Sequence, residues 1–228
     1  MAVAAPELLA VWEDAGGRRP AERAVALAAL AGDGDAAALT VGELDRRLIE
    51  LRRSTFGDDA ATVADCPGCG ERLEAELRLG ELLTGAEVEP RLLEVCVDGR
   101  RVSFRLPTAG DLVAVSGAAS PEEARTGLLD RCVLDGDELS DALAAAVAER
   151  MAAADPQAAA RVALHCPACE HEWEAPIDAG AFLWAELDAW AQRTLHEVHA
   201  LASAYGWSEE VILALGPRRR VYLELAAG

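Results

Sequence analysis

The most concentrated ligand chemistry in the sequence is one phrase written twice, Cys66-Pro67-Gly68-Cys69 and Cys166-Pro167-Ala168-Cys169. Two thiolates from each knuckle make four soft ligands, the complement of a closed tetrahedral zinc site with no position left for an activated water. The expected role of Zn2+ is therefore structural, with Cys66, Cys69, Cys166 and Cys169 as ligands. The frame repeats with the cysteines. Thr62-Val63-Ala64-Asp65 precedes the first pair and Val162-Ala163-Leu164-His165 the second, while Leu73-Glu74-Ala75 is answered downstream by Trp173-Glu174-Ala175. Each copy reads as strand, knuckle, strand.

Other uses of the thiols fit less well. A thioredoxin-like pair needs its first thiol at a helix N-terminus, yet both pairs run into segments that read as extended. Disulfides need an oxidising compartment, and Met1-Ala2-Val3-Ala4-Ala5-Pro6 has neither a basic segment nor a long apolar run, which points to a cytoplasmic protein. His165 and His171 flank the second knuckle and could each stand in for a cysteine, although four thiolates already fill a tetrahedron. Cys96 and Cys132 lie in apolar contexts and are expected to be buried as small hydrophobes. His196 and His199 share a helix face near Glu197 but lack a further ligand.

The elements that must position the knuckles follow from capping and periodicity. Residues 1–57 read as helical: Pro6 to Trp12, then Pro20 to Ala31, then a segment opened by the capping box Thr40 and Glu43, with Val41, Leu44, Leu48 and Leu51 on one face. Arg46, Arg47, Arg52 and Arg53 along that segment read as a solvated face or a binding patch. Segments 58–80 and 160–178 make the split ribbon. Between them, 86–156 reads as an inserted lobe: a hairpin turning at Asp98-Gly99, then helices opening at Thr108, Ser120-Pro121 and Ser140, the last ended by Asp155-Pro156. Residues 179–228 are helical again. Asp178 caps a helix whose Phe182, Leu183, Trp184, Leu187, Trp190, Leu195, Val198 and Leu201 form a wide apolar band, to be covered by the N-terminal helices or by a partner. The fold class is α+β, mostly helical, organised round a split four-cysteine zinc ribbon with an inserted hairpin-plus-helices lobe.

Composition limits function. The chain has 228 residues, 52% hydrophobic, enough for a substantial core. Its formal net charge is −19, and arginine is the only base, for there is no lysine. Such a surface repels a phosphate backbone, which argues against nucleic acid as a partner and so against the commonest work of zinc ribbons. No stretch is long and apolar enough to span a membrane. No phosphate-binding glycine loop, nucleophile elbow or zinc-protease helix motif is found, and no enzyme is expected. The basic triplet Arg218, Arg219 and Arg220, flanked by Trp207 and Tyr222, has the composition of a protein-binding hot spot; pairing with the protein's own carboxylates is the other reading.

One wider pattern adds to this. The helical start Thr40-Val41-Gly42-Glu43-Leu44-Asp45-Arg46-Arg47-Leu48, the two cysteine phrases separated by Leu106-Pro107-Thr108, and Phe182-Leu183-Trp184 stand in order along nearly the whole chain. The stretch from Glu197 through Tyr205-Gly206-Trp207-Ser208-Glu209 to Arg218-Arg219-Arg220-Val221-Tyr222-Leu223-Glu224 completes it. This order resembles the baseplate hub assembly chaperone family of contractile-tailed bacteriophages, whose close relatives accompany phage-like extracellular contractile injection systems. The resemblance implies a non-enzymatic assembly factor with baseplate hub or spike proteins as partners. A structural baseplate subunit retained in the particle, and less readily a zinc-ribbon nucleic-acid adaptor, are the alternatives.

Overall fold

Prolines and capping side chains set the helix starts. In the computed structural model, which describes residues 3–85, 92–135 and 139–227, the N-terminal part comprises α1 (Ala5–Ala15), α2 (Pro20–Leu30) and α3 (Val41–Phe56). The first hairpin, β1 (Asp59–Asp65) with β2 (Arg72–Arg78), comes next. A second hairpin of β3 (Leu92–Val97) and β4 (Arg100–Arg105) leads into α4 (Ala109–Val115), α5 (Pro121–Cys132) and α6 (Asp141–Ala154). The third hairpin is β5 (Arg161–His165) with β6 (Glu172–Pro176), and α7 (Ala179–Tyr205), α8 (Glu209–Ala214) and α9 (Arg219–Ala227) close the chain. The architecture is mixed α+β and mostly helical, and each hairpin is its own two-stranded antiparallel sheet. The outer limits at 1 and 228, and the start of the inserted lobe at 86, lie outside the described residues.

The larger core forms where α2, α3 and α7 meet, through Leu27, Ala28, Leu44, Leu48, Leu183 and Leu187. Small residues let the helices close up: a Cβ on Gly180 of α7 would lie 2.9 Å from the Ala24 Cβ of α2. Phe182, Trp184 and Trp190 pack against this core, so most of the apolar band of α7 is covered by the chain itself. Trp12 Nε1 donates to Asp188 at 2.8 Å, and the Arg23 guanidinium lies 4.6 Å over the Trp184 ring. Both contacts fix α7 against α1 and α2.

The first turn of α3 is where distant segments join. Thr40 and Glu43 form the expected capping box, and the Gly42 N–H donates to Asp155 Oδ2 at 2.8 Å. Asp155 is buried, and its Oδ1 lies 1.8 Å from where a Cβ on Gly42 would stand, so only glycine admits this carboxylate. The Val41 N–H donates to the Pro107 carbonyl. The residues entering the inserted lobe's helices and those leaving them are thus both held at one helix end.

Asp45 lies beyond that turn, in a recess lined by apolar residues of α2, α4 and α7. Burial first, then the charges of Asp178 and Asp155, push its carboxyl up to about 7. The α2 and α4 residues lining the recess carry no charge to offset this. A raised carboxyl pKa means the folded state holds the proton more tightly, so its stabilising effect is complete below about pH 4 and is lost as pH rises through about 7. Replacing Asp45 by Asn should therefore raise the melting temperature at pH 8 and leave it nearly unchanged at pH 4. An equal effect of Asp45→Asn at both pH values in calorimetry would contradict this.

Arg52 is not part of a solvated face. It is 4% exposed, paired through Nε and Nη2 with both oxygens of Glu186 on α7 at 2.7 Å, and its Nη1 donates to the Gly57 and Asp59 carbonyls. The reason is geometric: it sits on the buried side of α3, beside Leu48, Leu51 and the start of β1. Arg53, by contrast, pairs with Asp58 at the surface.

The inserted lobe has a second core of Leu93, Val102, Phe104, Leu106, Leu143 and Val147. Asp98 and Gly99 both take left-handed backbone angles, φ 51° and 77°, as a tight hairpin turn requires. Asp111, buried, receives the Thr108 N–H and is ion-paired to Arg105 (3.0 Å) and Arg131 (2.9 Å). Although burial alone would raise it, these donors hold its carboxyl far below the usual range. Cys132 is fully buried, as expected, and burial pushes its thiol up to about 11. Cys96 is exposed, contrary to expectation, because Leu93, Val95 and Val97 take the inner face of β3 and alternation turns Glu94 and Cys96 outward.

Candidate metal centre

The two knuckles are built alike. In the first, β1 and β2 pair to Asp65 opposite Arg72, then the Cys66 N–H donates to the Glu71 carbonyl and the Gly70 N–H returns to the Cys66 carbonyl, both at 2.8 Å. In the second, His165 stands opposite Glu172, the Cys166 N–H donates to the His171 carbonyl at 2.9 Å, and the Glu170 N–H returns to Cys166 at 2.8 Å. The residue after the second cysteine must turn left-handed. Gly70 does so at φ 74° without cost, whereas Glu170 does so at 57°.

The hairpins bring all four thiols together. Cys66 Sγ lies 3.6 Å from Cys169 Sγ and Cys69 Sγ 3.7 Å from Cys166 Sγ, and all four sulfurs fall within 4.8 Å of one another. Four thiolates at tetrahedral angles, each about 2.3 Å from a zinc ion, stand about 3.8 Å apart. The donor set and its spacing therefore fit a structural, thiophilic metal. Cys66 and Cys166 are buried while Cys69 and Cys169 remain exposed, so the centre lies at the tip of the ribbon.

Neighbouring thiols perturb one another's acidity in this cluster. Burial raises Cys66, but the N–H groups of Cys69 and Gly68 and the neighbouring thiols bring it down to about 7. At Cys169 a hydrogen bond from His171 lowers the pKa, but Cys69, burial and the other two thiols outweigh it and push it up to about 12. A thiophilic cation among them would remove the conflict by favouring the thiolate form of each ligand.

Neither histidine belongs to the ligand set. The His171 ring stacks on Trp173 with centroids 5.9 Å apart, and its Cβ packs 3.3 Å from the position of a Cβ on Gly68, against the opposite knuckle. His165 faces outward on β5. His196 bonds its ring to the Gln192 carbonyl within α7. Among the described residues the four cysteines are the one group that could hold a metal ion.

The C-terminal candidates form a separate cluster. Tyr205 stacks on Trp207 at 4.7 Å, and Tyr222 meets Trp207 edge-on at 5.1 Å. Gly206, left-handed at φ 69°, ends α7 so that the chain can fold this cluster back on itself. The arginine triplet divides. Arg219 pairs with Glu197 of α7 at 2.8 Å and is mostly covered, while Arg218 and Arg220 are exposed, as are Val221 and Leu225 of α9. Comparison with known protein families, curated proteins and solved structures gives no match.

Proposed function

We propose that the chain is a non-enzymatic assembly factor, folded round structural Zn2+, that docks on hub or spike proteins while the baseplate of a contractile tail or phage-like injection system is built in the cytoplasm. The observation that carries this reading is the C-terminal surface. The segment most specific to the resemblance is folded as one unit, in which Tyr205, Trp207 and Tyr222 pack together beside the exposed Arg218 and Arg220. Rigid aromatics beside free guanidinium groups are the usual anchors of a protein interface, and the net charge of −19 disfavours nucleic acid as what they anchor. A metal closed by four thiolates has no free position for water, so the centre supports folding and no turnover.

The test is an Arg218→Glu, Arg220→Glu variant in a producing cell. It leaves the Arg219–Glu197 pair in place, so zinc content and melting temperature should match wild type while co-purification with tail proteins and the yield of complete particles collapse. Normal particle yield from the variant would refute the docking role. Presence of the wild-type chain in finished particles at a fixed ratio would instead make it a baseplate subunit.

A further inference from the structure

The space between the two ribbon hairpins is an apolar groove. Its walls are the facing sides of the strands, Thr62, Ala64 and Leu77 from one hairpin and Val162, Leu164 and Ala175 from the other, and its floor is Leu79 and Phe182. The facing residues of both hairpins remain only half-buried, although they alternate strictly with the exposed ones. No strand of one hairpin pairs with a strand of the other.

The two strand edges that border the groove differ. Along β1, the Leu79 N–H donates to the Asp58 carbonyl and the Cys66 N–H to the Glu71 carbonyl, so the even-numbered residues turn their backbone groups toward β2. The odd-numbered ones turn theirs outward. The outward carbonyl of Asp59 is taken by Arg52 at 2.8 Å, but among the described residues nothing takes the N–H and C=O groups of Ala61 and Val63. On β6 the corresponding edge is partly blocked: Pro176 has no N–H, and the Glu174 carbonyl accepts from Arg161 at 2.9 Å. β1 therefore offers the more open of the two edges to an added strand.

Charge indicates what kind of strand. The outer face of the first hairpin carries Asp59, Asp65, Glu74 and Glu76 against Arg72 and Arg78, Asp178 stands in the groove wall, and no basic residue lines it. We propose that this groove receives one extended segment of a partner protein, apolar at alternate positions and basic at its ends, which pairs with the open edge of β1 and lays its side chains between the hairpins. Main-chain hydrogen bonds to Ala61 and Val63 supply the pairing, and the apolar walls, Asp178 and the acids of the adjoining outer face choose the sequence. The groove shares no residue with the C-terminal surface, so the inference goes beyond the docking reading above and does not rest on it.

The test uses the purified, zinc-loaded chain and a synthetic peptide of alternating valine and threonine with a lysine at each end. Binding should slow amide exchange at Ala61 and Val63 and leave the amides of α8 and α9 unchanged. Val63→Pro, which removes the outward N–H, should weaken binding about tenfold or more. Val63→Lys, at an exposed position on the edge of the groove, should do the same by setting a positive charge against the basic segment, as should exchanging the peptide's lysines for glutamates. Absence of binding, protection elsewhere, or equal binding by the folded Val63→Lys variant overturns the proposal. Particle assembly is read separately through Arg218 and Arg220, so failure here leaves the tail reading standing, and failure there leaves the groove.

Discussion

A Cys66→Ser, Cys166→Ser double variant is expected to lose its zinc, as read by elemental analysis, and to lose stability on the order of several kcal/mol, because metal binding is coupled to folding. The wild type should return one zinc per chain. The loss should be local before it is global. The hairpins are joined at their tips by the four cysteines and the packing of His171 on Gly68, with a half-open groove between them, while their other ends are tethered to α3 and α7 in the large core. Hydrogen exchange should therefore rise first across 59–78 and 161–176 while Leu48 and Leu187 stay protected. Full metal content and an unchanged melting temperature in the double variant would end the metal reading.

Replacing Arg52 by Ala is the second large effect, at about 3 to 5 kcal/mol, the usual cost of removing one partner of a buried ion pair. The change leaves Glu186 with an unmatched charge and the carbonyls of Gly57 and Asp59 without a donor, at the point where α3 hands the chain to β1. Denaturation in urea should show a lower midpoint with little change in slope. A loss below about 1 kcal/mol would mean that Arg52 is better solvated than its 4% exposure implies.

Much of this fold was legible from local signals. Thr40 with Glu43, Ser120 with Pro121, Ser140 and Asp178 each place a helix start where it is found, and Asp98-Gly99 places the second hairpin's turn. The clustering of Cys66, Cys69, Cys166 and Cys169 was legible because the whole frame repeats round them. What stayed hidden depends on partners far away in the chain. Arg52 lies among three other arginines on one helix, and nothing in the sequence marks it as the one that meets Glu186, a separation of 134 residues. Asp45 reads as one more surface acid until α7 brings Asp178 beside it. Cys96 was misplaced because its neighbours are apolar on both sides, and only the register of β3 decides which of them faces in. Gly42 carries a faint signal, a glycine at the second position of a capped helix, whose meaning appears only with Asp155 seated against it.

The split of the ribbon also sets a clock. Cys69 and Cys166 are separated by 97 residues, which a ribosome adding about 5 to 20 residues per second takes about 5 to 20 s to synthesise. Once it has emerged, the first hairpin waits with two thiols and no partners for them until the second knuckle follows. Its knuckle is half a chelate, able to hold a metal only loosely and open to any other thiol donor nearby. The centre can close only after α4, α5 and α6 have emerged and Asp155 has reached the end of α3, which brings the second hairpin into place. A metal held by all four cysteines would therefore be captured late in the birth of this protein.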